Sequence, residues 1–222
     1  MNDNAILDLF SPSYATARRK FLDAATDRGL RVDSRVLDLP GAGGETLAMD
    51  VVLDGPAFAS QLLVVLSGVH GVEGFCGSAI QTGMLRLGAP AHADTAVLHV
   101  HAINPHGFSH LRRVTQENVD LNRNFVDFGK PLPVNAGYGE TQEWLLPPSW
   151  PPGAAAEAAL AAYRDKHGER GLQRAIGLGQ HAHPDGMFFG GRAPTWSNRT
   201  FRAILQHYGQ RAREIASIDI HT

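Results

Sequence analysis

Residues 62–74 read LLVVLSGVHGVEG, an apolar run followed by a glycine-rich turn that carries a histidine and a glutamate. The five consecutive Leu and Val residues at 62–66 predict a strand that is buried on both faces, as in parallel sheets. Chemistry in open α/β sheets gathers just beyond the carboxyl ends of such strands. His70 and Glu73 lie at that end and supply two of the three protein ligands that a catalytic zinc site takes. A third ligand would therefore have to come from elsewhere in the sequence.

The composition is that of a folded domain without a strong charge bias. The chain has 222 residues, of which 43% are hydrophobic, and a formal net charge of -2 at pH 7. This near balance gives no electrostatic reason to expect nucleic acid or an anionic membrane as a partner. The single cysteine, Cys76, fits a reducing compartment. Because residues 1–10 do not resemble a signal peptide and no apolar run approaches roughly eighteen residues, we expect a cytoplasmic protein.

The order of predicted elements favours an α/β fold. Strands are predicted at residues 31–39, 47–53, 61–66, 95–101 and 214–220, and helices at 11–28, 77–87, 154–166 and 195–213. Ser11 is the predicted N-cap of the first helix, and Gly29 is its predicted end. The alternation of strands and helices predicts a three-layer sandwich with a mixed, largely parallel central sheet.

One segment of the chain is rich in proline. Six of the thirteen prolines lie within residues 127–153. Long irregular segments in compact domains are usually functional or mobile, so we interpret this segment as an insert or surface loop. We expect a single domain over residues 1–222 that contains this insert.

Two further segments carry polar side chains that could contribute to such a site. Residues 119–125 read VDLNRNF, and in irregular backbone the adjacent Asn122 and Arg123 present donors that suit a carboxylate. His221 directly follows the predicted strand at 214–220. If that strand runs parallel to the strand before His70, both imidazoles lie at the same sheet edge. His221 is therefore the candidate third ligand.

The order of these motifs resembles that of the zinc carboxypeptidases. Residues 68–74 resemble the segment that supplies their first two zinc ligands, and residues 104–108 (NPHGF) resemble their Asn-Pro-Asp-Gly-Tyr turn. Residues 119–125 are similar to the segment whose Asn-Arg pair holds the substrate's terminal carboxylate, and residues 219–221 (DIH) resemble the third-ligand strand. The same order occurs in the related succinylglutamate desuccinylase and aspartoacylase group. The resemblance implies a phosphorylase/hydrolase-like fold.

The resemblance also implies roles for individual residues. The implied ligands of one Zn²⁺ ion per chain are His70, Glu73 and His221. Asn122 and Arg123 would bind the substrate carboxylate. The catalytic arginine that polarises the scissile carbonyl corresponds to Arg113 or Arg112, and we favour Arg113.

The implied activity is zinc-dependent hydrolysis of an amide bond next to a free carboxylate, in a peptide or an N-acyl amino acid. The first interpretation is a metallocarboxypeptidase-like peptidase, and the second is an N-acyl amino acid deacylase of the desuccinylase/aspartoacylase type. The family also uses a glutamate general base beyond the third ligand, and none follows His221; the glutamates Glu117, Glu140 and Glu143 match no such position. We therefore expect a C-terminally truncated sequence, and a non-catalytic zinc- or peptide-binding domain is the third interpretation. The sequence leaves the oligomeric state open.

Other reactive groups have weaker support. Cys76 lies near a predicted helix start but in no catalytic signature, and Ser67 and Ser78 lie outside a Gly-x-Ser-x-Gly motif. Two further histidine pairs have the spacing of shared metal ligands: His99 with His101, and His181 with His183. For the first pair we favour packing or a supporting role at the site, and for the second a role in a loop.

Overall fold

The computed structural model describes residues 3–88 and 93–221. The strands in these ranges are β1 (Val32–Pro40), β2 (Thr46–Asp54), β3 (Gln61–Ser67), β4 (Thr95–His101) and β5 (Glu214–Ile220). The α-helices are α1 (Asp3–Leu7), α2 (Tyr14–Asp27), α3 (Gly74–Leu87), α4 (Pro105–Ser109), α5 (Leu121–Asn124), α6 (Ala136–Leu145), α7 (Ala154–Gly177) and α8 (Trp196–Gly209). Within the described ranges, none of these helices has the length and apolarity needed to cross a membrane.

The chain divides into two compact units. The first consists of Met1–Gln116 and Trp196–Thr222, and the second of Glu117–Thr195. The first unit contains the sheet, and the second contains α5, α6 and α7. The predicted insert at residues 127–153 lies wholly within the second unit and includes the helix α6, so it is more ordered than a bare loop.

The sheet has the strand order β1-β2-β4-β3-β5. The pairs β1/β2 and β2/β4 are antiparallel, whereas β3/β4 and β3/β5 are parallel. Leu62, Val64 and Val65 of β3 are buried, as the apolar run predicts. The sheet is mixed and carries helices, which confirms the predicted α/β class.

Helix α2 packs its apolar face into the core of the first unit. Tyr14 and Phe21 are buried, and the Tyr14 hydroxyl donates to the carbonyl oxygen of Ala48 at 3.1 Å. The prediction of Ser11 as the N-cap was wrong. Ser13 takes that position because its backbone is extended and its Oγ accepts the N–H of Thr16 at 3.2 Å.

Two histidines of β4 are buried in the same core. Nε2 of His101 forms a 2.8 Å hydrogen bond with the Ser78 hydroxyl. The His101 ring stacks on Phe21, with the ring centroids 4.5 Å apart. Burial lowers the pKa of His99 and of His101 to about 4, and this effect outweighs the opposing charges of Asp54 and Asp50. These contacts agree with packing, the first of the two roles predicted for this pair.

We expect the free energy of unfolding to fall as the pH is lowered from about 7 to about 5. His99 and His101 remain neutral in the folded chain down to about pH 4, whereas in the unfolded chain they take up protons near pH 6.5. The unfolded state therefore binds more protons in this window, and each histidine contributes a slope of up to about 1.4 kcal/mol per pH unit. Urea unfolding at several pH values measures this slope, and His99→Gln should reduce it. An unchanged slope would contradict the assignment.

Candidate metal centre

The chain leaves β3 through a turn that stays bonded to the end of β4. Gly68 adopts a φ of 66°, a left-handed conformation that side chains disfavour, and Ala102 after β4 adopts 60°. The N–H of Ile103 donates to the carbonyl of Ser67 at 2.9 Å, and the N–H of Asn104 donates to the carbonyl of Gly68 at 2.8 Å. The two strand ends are therefore tied together just before the candidate ligands.

A 3₁₀ turn, Gly71–Glu73, places the first two candidate ligands beside each other. His70 immediately precedes this turn and is buried, and its Nδ1 lies 3.1 Å from Oε1 of Glu73. The turn packs against the backbone of α4, where a Cβ on Gly71 would lie 1.9 Å from the carbonyl carbon of Gly107. Glycine at position 71 is therefore required for this close approach.

The third candidate ligand arrives through the parallel pairing of β5 with β3. Ile220 is the register partner of Ser67, so the residues that follow the two strands come side by side. His221 places its Nε2 2.8 Å from Nδ1 of His70 and 3.5 Å from Oε2 of Glu73. The structure thus brings together the three side chains that the sequence named as candidate ligands.

The donor set fits a zinc ion. The ligand atoms of His70, Glu73 and His221 all lie within 4.8 Å of one another. Zinc bonds of about 2.0–2.1 Å at tetrahedral angles separate two ligand atoms by about 3.3 Å, close to the distances between these atoms. Among the residues that the structure describes, no other group of three His, Cys, Asp or Glu side chains converges in this way.

Arg113 lies beside the candidate ligands. Its Nη1 is 3.8 Å from Oε1 of Glu73, and its side chain is 38% exposed. The backbone of Arg113 is fixed against the 3₁₀ turn, because its carbonyl accepts the N–H of Gly71 at 3.4 Å and the side-chain amide of Asn104 at 3.3 Å. The carbonyl of Arg112 accepts the N–H of Val72 at 3.2 Å. Asn104 thus supports this segment, a role that its turn motif alone did not indicate.

Asp219 also contacts a candidate ligand. Nδ1 of His221 lies 2.9 Å from Oδ2 of Asp219. The sequence motif gives no role to Asp219, although its spacing of two residues from His221 at a strand end is a usable signal. Residues two apart on a strand point to the same face of the sheet.

In the second unit, the predicted carboxylate-binding pair lies at α5. Nη2 of Arg123 donates to the carbonyl of Gly177 at 2.6 Å, and its Nη1 lies 3.8 Å from Oδ1 of Asp120. The same carboxylate oxygen accepts the N–H of Asn122 at 2.9 Å. These contacts order the segment within its own unit, and the carboxylate-binding role of Asn122 and Arg123 stays a prediction.

The second unit also contains the pair His181 and His183. Nδ1 of His181 lies 2.7 Å from the carbonyl oxygen of Gly191, a contact that the ring makes as donor. Both histidines line a cavity of about 390 Å³ within this unit, together with residues 132–136. His181 therefore fixes loop backbone, in agreement with the loop role that we favoured.

Solved structures give only weak likenesses to the whole chain. An aspartoacylase family protein from Mesorhizobium loti is 22% identical with a TM-score of 0.30, and the match covers 43% of this chain and 30% of that chain. Glutaminyl cyclase from Porphyromonas gingivalis is 12% identical with a TM-score of 0.32, covering 96% and 83% of the two chains. Glutaminyl cyclase from Macrostomum lignano is 12% identical with a TM-score of 0.36, covering 99% and 78%. At these scores the likenesses carry no argument about activity.

Sequence comparison assigns the chain to a family. No curated protein matches the chain. The family model described as "Protein of unknown function (DUF2817)" matches residues 10–222, which is nearly the whole sequence. The chain therefore belongs to the DUF2817 family.

Proposed function

We propose that this chain is a zinc-dependent hydrolase that cleaves amide bonds adjacent to a free carboxylate. The observation that carries the proposal is the convergence of two imidazole nitrogens and a carboxylate from His70, Glu73 and His221 at one sheet edge. The motif order resembling that of the zinc carboxypeptidases supports the reaction class. Zinc held by these residues would supply Lewis acidity and would lower the pKa of water at the site.

The proposal gives roles to three further side chains. The Arg113 guanidinium lies close to Glu73 and is partly exposed, and its proposed role is to stabilise negative charge that develops on a carbonyl oxygen. Asn122 and Arg123 are the proposed ligands of the substrate carboxylate, since a guanidinium pairs with a carboxylate through two parallel hydrogen bonds. Holding that carboxylate would orient the amide bond for attack.

The proposal is tested with the purified full-length protein, because the general base of the zinc carboxypeptidases lies beyond the third ligand; the protein is loaded with zinc and then freed of excess metal. Release of amino acids is followed from N-acyl amino acids and from peptides with a free C-terminus, each beside its C-terminally amidated analogue. We expect turnover of at least one free-carboxylate substrate, loss of turnover with the amidated analogue and loss with a chelator. Preference for N-acyl amino acids would identify a deacylase, and preference for peptides would identify a carboxypeptidase. Zinc binding without turnover would leave a non-catalytic binding domain and contradict the proposed hydrolysis.

Arg113→Ala should lower kcat by roughly 100-fold to 1,000-fold, the usual effect of removing one donor that stabilises a developing oxyanion. Zinc content should not change, because Arg113 supplies no ligand atom. Arg112→Ala is the matched comparison, since both arginines were candidates and both lie in the same segment. Steady-state kinetics of the two variants measures the difference. A larger loss for Arg112→Ala would transfer the role to Arg112.

A further inference from the structure

We propose that Asp219 is a positioning residue for the metal centre. Its carboxylate fixes the tautomer of His221, so that Nε2 of His221 presents its lone pair to zinc. The inference rests on the proposed metal centre and adds to it a residue for which the motif resemblance gives no role. It concerns metal affinity and can be tested without any substrate.

The geometry comes from the end of β5. Asp219 and His221 are two residues apart, so the strand directs both side chains to the same face. Oδ2 of Asp219 lies 2.9 Å from Nδ1 of His221, while the opposite ring nitrogen, Nε2, lies 2.8 Å from Nδ1 of His70. The imidazole of His221 is thus held between a carboxylate on one side and the candidate metal ligands on the other.

The contact with Asp219 determines which nitrogen of the His221 imidazole carries the proton. An ionised carboxylate accepts hydrogen bonds but cannot donate one, so Nδ1 of His221 must carry the proton in this contact. A neutral imidazole has one N–H and one lone pair, and Nε2 therefore keeps the lone pair. The other tautomer would point an N–H at His70 and Glu73 and would oppose a cation there. Metal-binding histidines generally donate their second N–H to such a partner.

Three substitutions separate this role from simpler ones. Asp219→Ala removes the acceptor, whereas Asp219→Asn removes the charge but keeps a carbonyl oxygen that can accept the same N–H. Glu214→Gln removes an equal charge from the far end of β5, about 17 Å away along an extended strand. Zinc affinity of each full-length variant is measured by competition with a chromophoric chelator, and circular dichroism melts check that each variant is folded.

We expect Asp219→Ala to bind zinc roughly 10-fold to 100-fold more weakly than the unaltered chain, the usual cost of losing such a partner. Asp219→Asn should recover most of that loss, and Glu214→Gln should bind like the unaltered chain. Equal affinities for Asp219→Ala and the unaltered chain would overturn the inference alone. An Asp219→Asn variant that binds zinc as weakly as Asp219→Ala would also overturn it, because the negative charge of Asp219 or its direct ligation of zinc would then explain the loss. Failure of the unaltered chain to bind zinc would overturn the proposed metal centre itself.

Discussion

His70→Ala is expected to reduce the zinc content of the purified chain from about one ion to almost none after dialysis. Structural zinc sites gain about 10–16 kcal/mol from four ligands, so one ligand accounts for about 3 kcal/mol. That loss corresponds to a decrease in affinity of roughly 100-fold to 1,000-fold. Elemental analysis gives the content, and chelator competition gives the dissociation constant.

His181→Ala is the control for this prediction. Its ring bonds to the carbonyl of Gly191 and belongs to no converging group of three ligands among the described residues. It should therefore leave zinc binding unchanged. Because His70 is buried, His70→Gln, which is closer in volume than alanine, checks that the loss does not come from unfolding. Equal losses from His70→Ala and His181→Ala would contradict the assignment of the ligands.

Gly71→Ala is expected to destabilise the fold by about 3 kcal/mol or more, because overpacking against backbone cannot be relieved by a side-chain rotation. The added Cβ would lie 1.9 Å from the carbonyl carbon of Gly107 and 2.1 Å from the amide nitrogen of Phe108. For a chain of this size the melting temperature should fall by roughly 10 °C. Zinc affinity should fall as well, since the substitution lies between His70 and Glu73.

The matched control is Gly139→Ala. Gly139 lies within α6, and a Cβ there would meet no atom within 4 Å. Alanine is a better helix former than glycine by up to about 1 kcal/mol, so this variant should melt at the same temperature or higher. Thermal unfolding of both variants under identical conditions measures the contrast. A Gly71→Ala variant as stable as Gly139→Ala would show that the turn can move away from α4.

Local patterns predicted much of the sheet. The strands at Thr95–His101 and Glu214–Ile220 have the predicted bounds, because each is a compact β-favouring segment between clear breaks. The predicted end of the helix at Gly168 corresponds to a kink in α7, where Gly168 has a non-helical φ of 71°, and a second helical stretch that was not predicted follows it to Gly177. The predicted cap of α2 is misplaced by two residues, because two serines, Ser11 and Ser13, offer the same capping chemistry.

Features that depend on contacts between residues far apart in the sequence were harder to predict from local patterns. That β5 lies next to β3 depends on pairing between residues far apart in sequence, so the meeting of His221 with His70 was an expectation conditional on parallel strands. The division at residue 117 falls within a polar stretch that has no clear periodicity, so no local pattern marks it. The role of Asn104 depends on which backbone carbonyl lies within hydrogen-bond distance of its side chain, and the spacing of residues in the sequence does not predict this.

The position of His221 directly after β5 links the third candidate ligand to the stability of one strand. Six of the seven residues of this strand are exposed, and β5 forms the edge of the sheet with β3 as its neighbour. Segments with few buried apolar contacts open locally at a lower free energy than the core, and an opening of β5 would carry His221 away from the other two candidate ligands. Zinc bound as proposed would favour the closed strand by mass action. The lifetime of the bound ion and the amide-exchange protection of β5 would then be set by the same opening equilibrium.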